Sequence, residues 1–227
     1  MEKTRSLSGD IGICILLLAI FSIFVSFATP TWLVSDPRIM NTQFEKMGLW
    51  THCFKSLPSP YEADAPTIFF VGCRWLFDPF TKGYSDIRPF LRPPFMIATQ
   101  FFFTLCFLLI LLSFGLMLVS VSCYGPQQKR YIQLIQIIGY LLLISGFNGS
   151  IAVIIFACFG NREGWMPGHE SNYFGWAFAM GVVGSVLALI AGALFLVDAH
   201  VQKKKGRYLK ESQTRMQSNS NTQDVFF

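Results

Sequence analysis

Cys53 and Cys73 are the residues of this chain whose chemistry depends most on their surroundings, and His52 stands next to the first. Two thiols in one segment can oxidise to a disulfide, or as thiolates they can hold a metal together with an imidazole. A structural zinc site needs four ligands at recognisable intervals, and an adjacent His-Cys pair with one distant Cys does not supply them. The disulfide is the better reading if the segment reaches an oxidising compartment. Cys14, Cys106 and Cys158 lie inside apolar runs, where a thiol acts as a small hydrophobe, and Cys123 lies at the end of one. His52, His169 and His200 are far apart, with no nucleophile paired to a base. There is no Gly-x-Ser-x-Gly elbow, no His-Glu-x-x-His helix and no phosphate-cradling glycine loop. The sequence therefore assigns no catalytic residue, metal or cofactor, and no enzymatic or nucleic-acid-binding role is expected.

The elements that carry these residues are set by hydropathy. Hydrophobic residues make up 52% of the chain, charged residues only 14%, and the mean hydropathy is +0.46. Four runs free of Asp, Glu, Lys and Arg, at 11–29, 95–121, 132–159 and 174–197, meet the length of about 20 residues that a bilayer crossing needs. The expected class is an all-α membrane protein built as a four-helix bundle. Its connecting segments are 1–10, a long loop 30–94, 122–131, a short loop 160–173 and a tail 198–227.

Basic flanks give the orientation. Lys3 and Arg5, Lys129 and Arg130, and the tail residues Lys203, Lys204, Lys205, Arg207, Lys210 and Arg215 flank the spans on one side, whereas 160–173 carries only Arg162. The positive-inside rule then makes both termini cytoplasmic and both odd-numbered loops extracellular. Ser26-Phe27-Ala28 resembles a signal-peptide cleavage site, but the first apolar run is longer than a signal core and Pro30 follows closely, so it is read as a retained helix. Charge-free spans offer no ionisable group for a transport path through the helices.

With 30–94 exported, Cys53 and Cys73 are expected to bond, contributing about 3 kcal/mol by the chain-entropy model. The segments 47–54 and 67–77 are rich in aromatic and β-branched residues and read as strands. Between them, 55–66 contains Pro58, Pro60 and Pro66 and is excluded as a central strand. The expectation is a pinned antiparallel hairpin with a projecting proline-rich tip.

Trp32, the Gly48-Leu49-Trp50-x-x-Cys53 segment and Cys73, all between the first two spans, resemble the first extracellular loop of the claudin/PMP22 tetraspan superfamily. The resemblance covers 11–197. Ile87 to Met96, leading into the second span, and Asn172-Tyr173-Phe174-Gly175-Trp176, opening the fourth, look more like the insect claudin-like proteins of septate junctions, such as the Pasiflora proteins. The second cysteine follows the first at a longer interval than in vertebrate claudins. The resemblance implies a small disulfide-pinned extracellular β-sheet standing on the bundle, with Trp32 and Trp50 packed at its base. Taken alone, those tryptophans also fit simple interfacial anchors.

The resemblance further implies a structural and adhesive component of an epithelial, septate-type junction that contributes to the paracellular barrier. Its place would be the lateral plasma membrane, and its partners membrane lipid, itself and other claudin-like proteins. Contacts would run through the proline tip and the loop around Trp165-Met166-Pro167-Gly168. An auxiliary or trafficking subunit of a channel or receptor shares the same bulk features and is the alternative.

Small residues recur in the fourth span, with Ala177, Gly181 and Ser185 in one row and Gly184, Ala188 and Gly192 in the next, a spacing that lets helices approach closely in lipid. Ser145, Gly146, Gly149 and Ser150 form a matching stripe in the third, where Asn148 is expected to hydrogen-bond a neighbouring helix. In the tail, 216–223 has the composition of a disordered segment. Val225 and Phe227 fit a PDZ ligand that would recruit a cytoplasmic scaffold. Cys123 is placed for palmitoylation.

Overall fold

The computed structural model describes residues 7–39, 43–58, 69–80, 84–123 and 128–223. Four of its helices are long and apolar enough to cross a membrane: α1 (Leu7–Ala28), α3 (Pro94–Cys123), α4 (Lys129–Phe159) and α5 (Trp176–Gln223). A shorter helix, α2 (Tyr84–Leu91), precedes α3. The strands are β1 (Leu33–Ser35), β2 (Phe44–Met47), β3 (Thr51–Pro58), β4 (Phe69–Trp75) and β5 (Asn172–Phe174). They form one antiparallel sheet in the order β4-β3-β2-β1-β5.

Within the bundle, α5 packs along both α1 and α4, and α3 along α4. Glycines make these approaches possible. A Cβ on Gly184 would lie 2.8 Å from Ile23 of α1, one on Gly181 2.7 Å from the Ser26 hydroxyl, and one on Gly192 2.9 Å from the carbonyl of Gly139 in α4. Ala177, Ser185 and Ala188 are buried in the same helix. Ser145 donates to the Cys106 carbonyl at 2.8 Å and so supplies a polar link between α4 and α3. Asn148 was expected to make such a link, but its Nδ2 donates at 2.7 Å to Ile144, one turn back in its own helix.

The segments outside the long helices differ from expectation in four places. The stretch 47–54 is not one strand: β2 ends at Met47, and the chain turns through Gly48-Leu49-Trp50 before β3 begins. Residues 55–58 do belong to β3, and Pro58 closes it opposite Phe69 at the sheet's end. Phe174 is in β5, with the fourth long helix starting at Trp176. The helix α2 arises because Ile87 and Leu91, one turn apart, are both fully buried, and Pro93 and Pro94 stop it and restart the chain as α3.

Helix α5 also runs through the polar 198–223 stretch as far as Gln223. A span that is already helical removes the nucleation cost, and Lys, Leu, Glu, Gln, Arg and Met propagate it well. The tip residues Pro60 and Pro66 and the terminal Val225 and Phe227 lie outside the described residues.

Candidate functional site

The site is the sheet and its seat on the bundle, and Trp32 is where the two meet. Trp32 is fully buried between the end of α1 and the start of β1. Its indole N–H donates to the Ser26 carbonyl of α1 at 2.8 Å. Its amide donates to Met47 of β2 at 2.7 Å, and its carbonyl accepts from Gly175, between β5 and α5, at 3.0 Å. Edge-on against its ring stand Phe103 of α3 and Phe156 of α4, at centroid distances of 5.1 and 5.0 Å, with Phe178 of α5 at 5.7 Å. One side chain therefore touches all four long helices, and its backbone ties them to the sheet.

Gly48, Leu49 and Trp50 form the turn that rests on this seat. Gly48 N–H donates to the Thr51 carbonyl at 2.8 Å, closing the hairpin. The backbone of Thr29 and Pro30 passes so close that a Cβ on Gly48 would sit 2.5 Å from the Thr29 oxygen. Leu49 is buried, and its carbonyl accepts from Gln100 of α3 at 2.7 Å. The Trp50 carbonyl accepts from Leu76 at 2.8 Å, and its ring lies 5.6 Å from Phe27 and 6.4 Å from Phe77.

Cys53 and Cys73 face each other across β3 and β4 and are joined by a disulfide. The bond holds the outermost strand pair in register. Gly72, at φ 86°, takes a left-handed backbone conformation beside it, opposite the register shift between Phe54 and Leu57.

His52 is not a solvated loop histidine. It is fully buried, lies parallel to the Phe54 ring at 6.5 Å, and finds no hydrogen-bond partner for either ring nitrogen. Burial pushes its imidazole down to about 4, so it is neutral at physiological pH. No group of three or more His, Cys, Asp or Glu that could hold a metal occurs among the described residues.

The second loop is also drawn into the seat. Trp165 donates from Nε1 to the Phe90 carbonyl of α2 at 3.0 Å and stands edge-on to Phe95 at 4.8 Å, while Met166 is buried. Within the loop expected to make contacts between molecules, Met166 is buried, Trp165 half-buried and Gly168 exposed. Exposed apolar surface lies on β4, where Phe69, Val71 and Trp75 are each more than half exposed.

A family model described as PMP-22/EMP/MP20/Claudin tight junction matches residues 17–197. The chain belongs to the claudin/PMP-22 family. That family comprises multi-pass, structural membrane proteins of junctions, so the absence of a catalytic constellation in the sequence accords with it. A comparison with curated proteins finds no match. In this member of the family the motif residues divide the work: Trp32 fixes the sheet to the helices, Gly48-Leu49-Trp50 seats its inner turn, and Cys53-Cys73 clasps its outer strands.

Sequence reasoning missed Gln100 and strand β5. Gln100 stands out as a polar residue near the start of an apolar run. Three-residue β5 carries no periodic signal long enough to read.

Proposed function

We propose that this protein is a claudin-like structural and adhesive component of an epithelial junction, of the septate type, where it contributes to the paracellular barrier. In this reading the sheet is extracellular and both termini are cytoplasmic, which the basic flanks around Lys129, Arg130 and Lys203 to Arg207 support. The observation that carries the proposal is the outer face of β4. An edge strand with Phe69, Val71 and Trp75 exposed is a surface suited to side-by-side association of copies, and soluble edges are normally blunted against that. On the cytoplasmic side, Val225 and Phe227 serve as a PDZ ligand for a scaffold and Cys123 as an acylation site. The exposure of Cys123 at the end of α3 is compatible with acylation.

The test replaces the endogenous protein in a polarised epithelium with a tagged wild type or a Val71→Asp/Trp75→Glu variant. Wild type is expected in a lateral belt at cell contacts with low dye passage between cells, and the variant is expected at the surface but dispersed, with raised dye passage. An intact barrier in cells lacking the protein sinks the proposal. Acyl exchange at Cys123 and scaffold capture lost on Phe227→Ala test the two cytoplasmic assignments separately.

A further inference from the structure

Two arginines converge on one ring at the base of the sheet. Arg88, in the last turn of α2, and Arg92, one turn further on, hold their guanidinium carbons 5.8 and 5.1 Å from the centroid of Phe77. The Nε atoms of both are buried without a partner, and neither side chain pairs with a carboxylate, carbonyl or hydroxyl among the described residues. Asp78, next to Phe77 in the chain, is engaged by Arg74 at 3.4 Å and by the Phe80 amide at 2.9 Å. Both arginines are half-buried, so their outer guanidinium nitrogens remain open to the surroundings.

Two like charges held on one aromatic ring repel each other, and the ring offsets only part of that. Guanidinium pairs of this kind match the oxygens of a phosphate, which accepts parallel N–H bonds from each. The neighbourhood is that of a membrane surface. Arg92 lies two residues before α3 begins, and Trp50, Trp75 and Phe77 form a contiguous aromatic group beside it. Trp75, in ring contact with Phe77, is 54% exposed, giving apolar surface next to the cations. Aromatic girdles of this kind mark headgroup level.

We propose that Arg88 and Arg92 form a phosphate-binding clamp for a membrane phospholipid in the leaflet on the sheet side of the bundle. The headgroup phosphate accepts hydrogen bonds from both guanidiniums. The occupied clamp fixes α2, and through it Ile87, Leu91 and the Trp165 contact, at a constant height above the bilayer.

The full-length protein in a neutral detergent is titrated with phosphatidylglycerol, with diacylglycerol of the same chains, and with inorganic phosphate alone, and bound molecules are counted by native mass spectrometry. Wild type is expected to retain one phosphatidylglycerol that Arg88→Gln/Arg92→Gln binds about tenfold more weakly or worse, with diacylglycerol held equally by both. Because that variant can fold poorly, a second measurement uses wild type alone: raising salt is expected to release the phosphatidylglycerol and leave diacylglycerol binding unchanged. Equal phospholipid retention by wild type and a folded variant, or no effect of salt, overturns the proposal. Inorganic phosphate bound by the wild type as tightly as the lipid assigns the clamp to a soluble anion and overturns the lipid assignment.

Discussion

The indole of Trp32 donates to a carbonyl that helix α1 has no backbone donor for. Ser26 would ordinarily receive the amide four residues on, but that residue is Pro30, which has no N–H. Trp32 Nε1 takes its place at 2.8 Å, in a fully buried setting. The proline that ends the helix thus creates the acceptor that holds the sheet's anchor. Trp32→Phe keeps an aromatic ring among Phe103, Phe156 and Phe178 but strands the Ser26 carbonyl. The expected cost is about 1–3 kcal/mol, against about 3–5 kcal/mol for Trp32→Ala. Thermal unfolding in detergent ranks the two, and a Trp32→Phe variant as stable as wild type would mean that the hydrogen bond adds nothing.

Gly48 and Gly115 make a matched test of what glycine is for. An added Cβ at Gly48 meets the Thr29 oxygen at 2.5 Å and Pro30 Cα at 2.7 Å, both backbone atoms that cannot swing away, whereas at Gly115 nothing lies within 4 Å. Gly48→Ala is expected to lower stability by about 1–3 kcal/mol. Gly115→Ala, in the middle of α3, is expected to be neutral or to gain up to about 1 kcal/mol from helix propensity. The two melting temperatures should move apart, and a shared direction would refute the close-approach argument.

Opening the clasp should weaken the outer strands before the bundle. With a sequence separation of 20 between Cys53 and Cys73, the chain-entropy model assigns the disulfide about 3 kcal/mol. Cys53→Ser/Cys73→Ser is therefore expected to be cut by protease in the β3–β4 segment while α1, α3, α4 and α5 still resist. Unchanged cleavage would show that the seat alone holds the hairpin.

His52 gives the sheet an acid limit. Burial lowers its folded value to about 4 from an ordinary 6.5, so the unfolded chain takes up a proton that the folded one refuses between those two pH values. Its contribution is complete above pH 6.5 and declines as pH falls toward 4, a loss on the order of 3 kcal/mol. His52→Phe, which keeps a ring beside Phe54, should flatten that part of the stability profile. A variant with the same acid slope as wild type would remove His52 from the account.

The four spans, the strand character around Cys53 and Cys73 and the pairing of those cysteines were legible in the sequence. Each rests on a signal carried by neighbouring residues or by composition: runs without charge, clustered aromatic and β-branched residues, and an isolated pair of thiols outside the membrane. The tertiary structure alone decided what each motif residue does. His52 reads as polar in sequence, yet on β3 it is fully buried beside Phe54. Trp165 lies in a short loop in sequence, yet it bonds to Phe90 of α2 and packs on Phe95. Strand β5 exists because β1, far away in the chain, offers it an edge, and Trp32 becomes an anchor only when Ser26, Met47, Gly175 and rings from three helices converge on it. Local sequence fixes local conformation and hydropathy, whereas burial and partner choice depend on residues brought together from distant parts of the chain, whose contacts no short window of sequence contains.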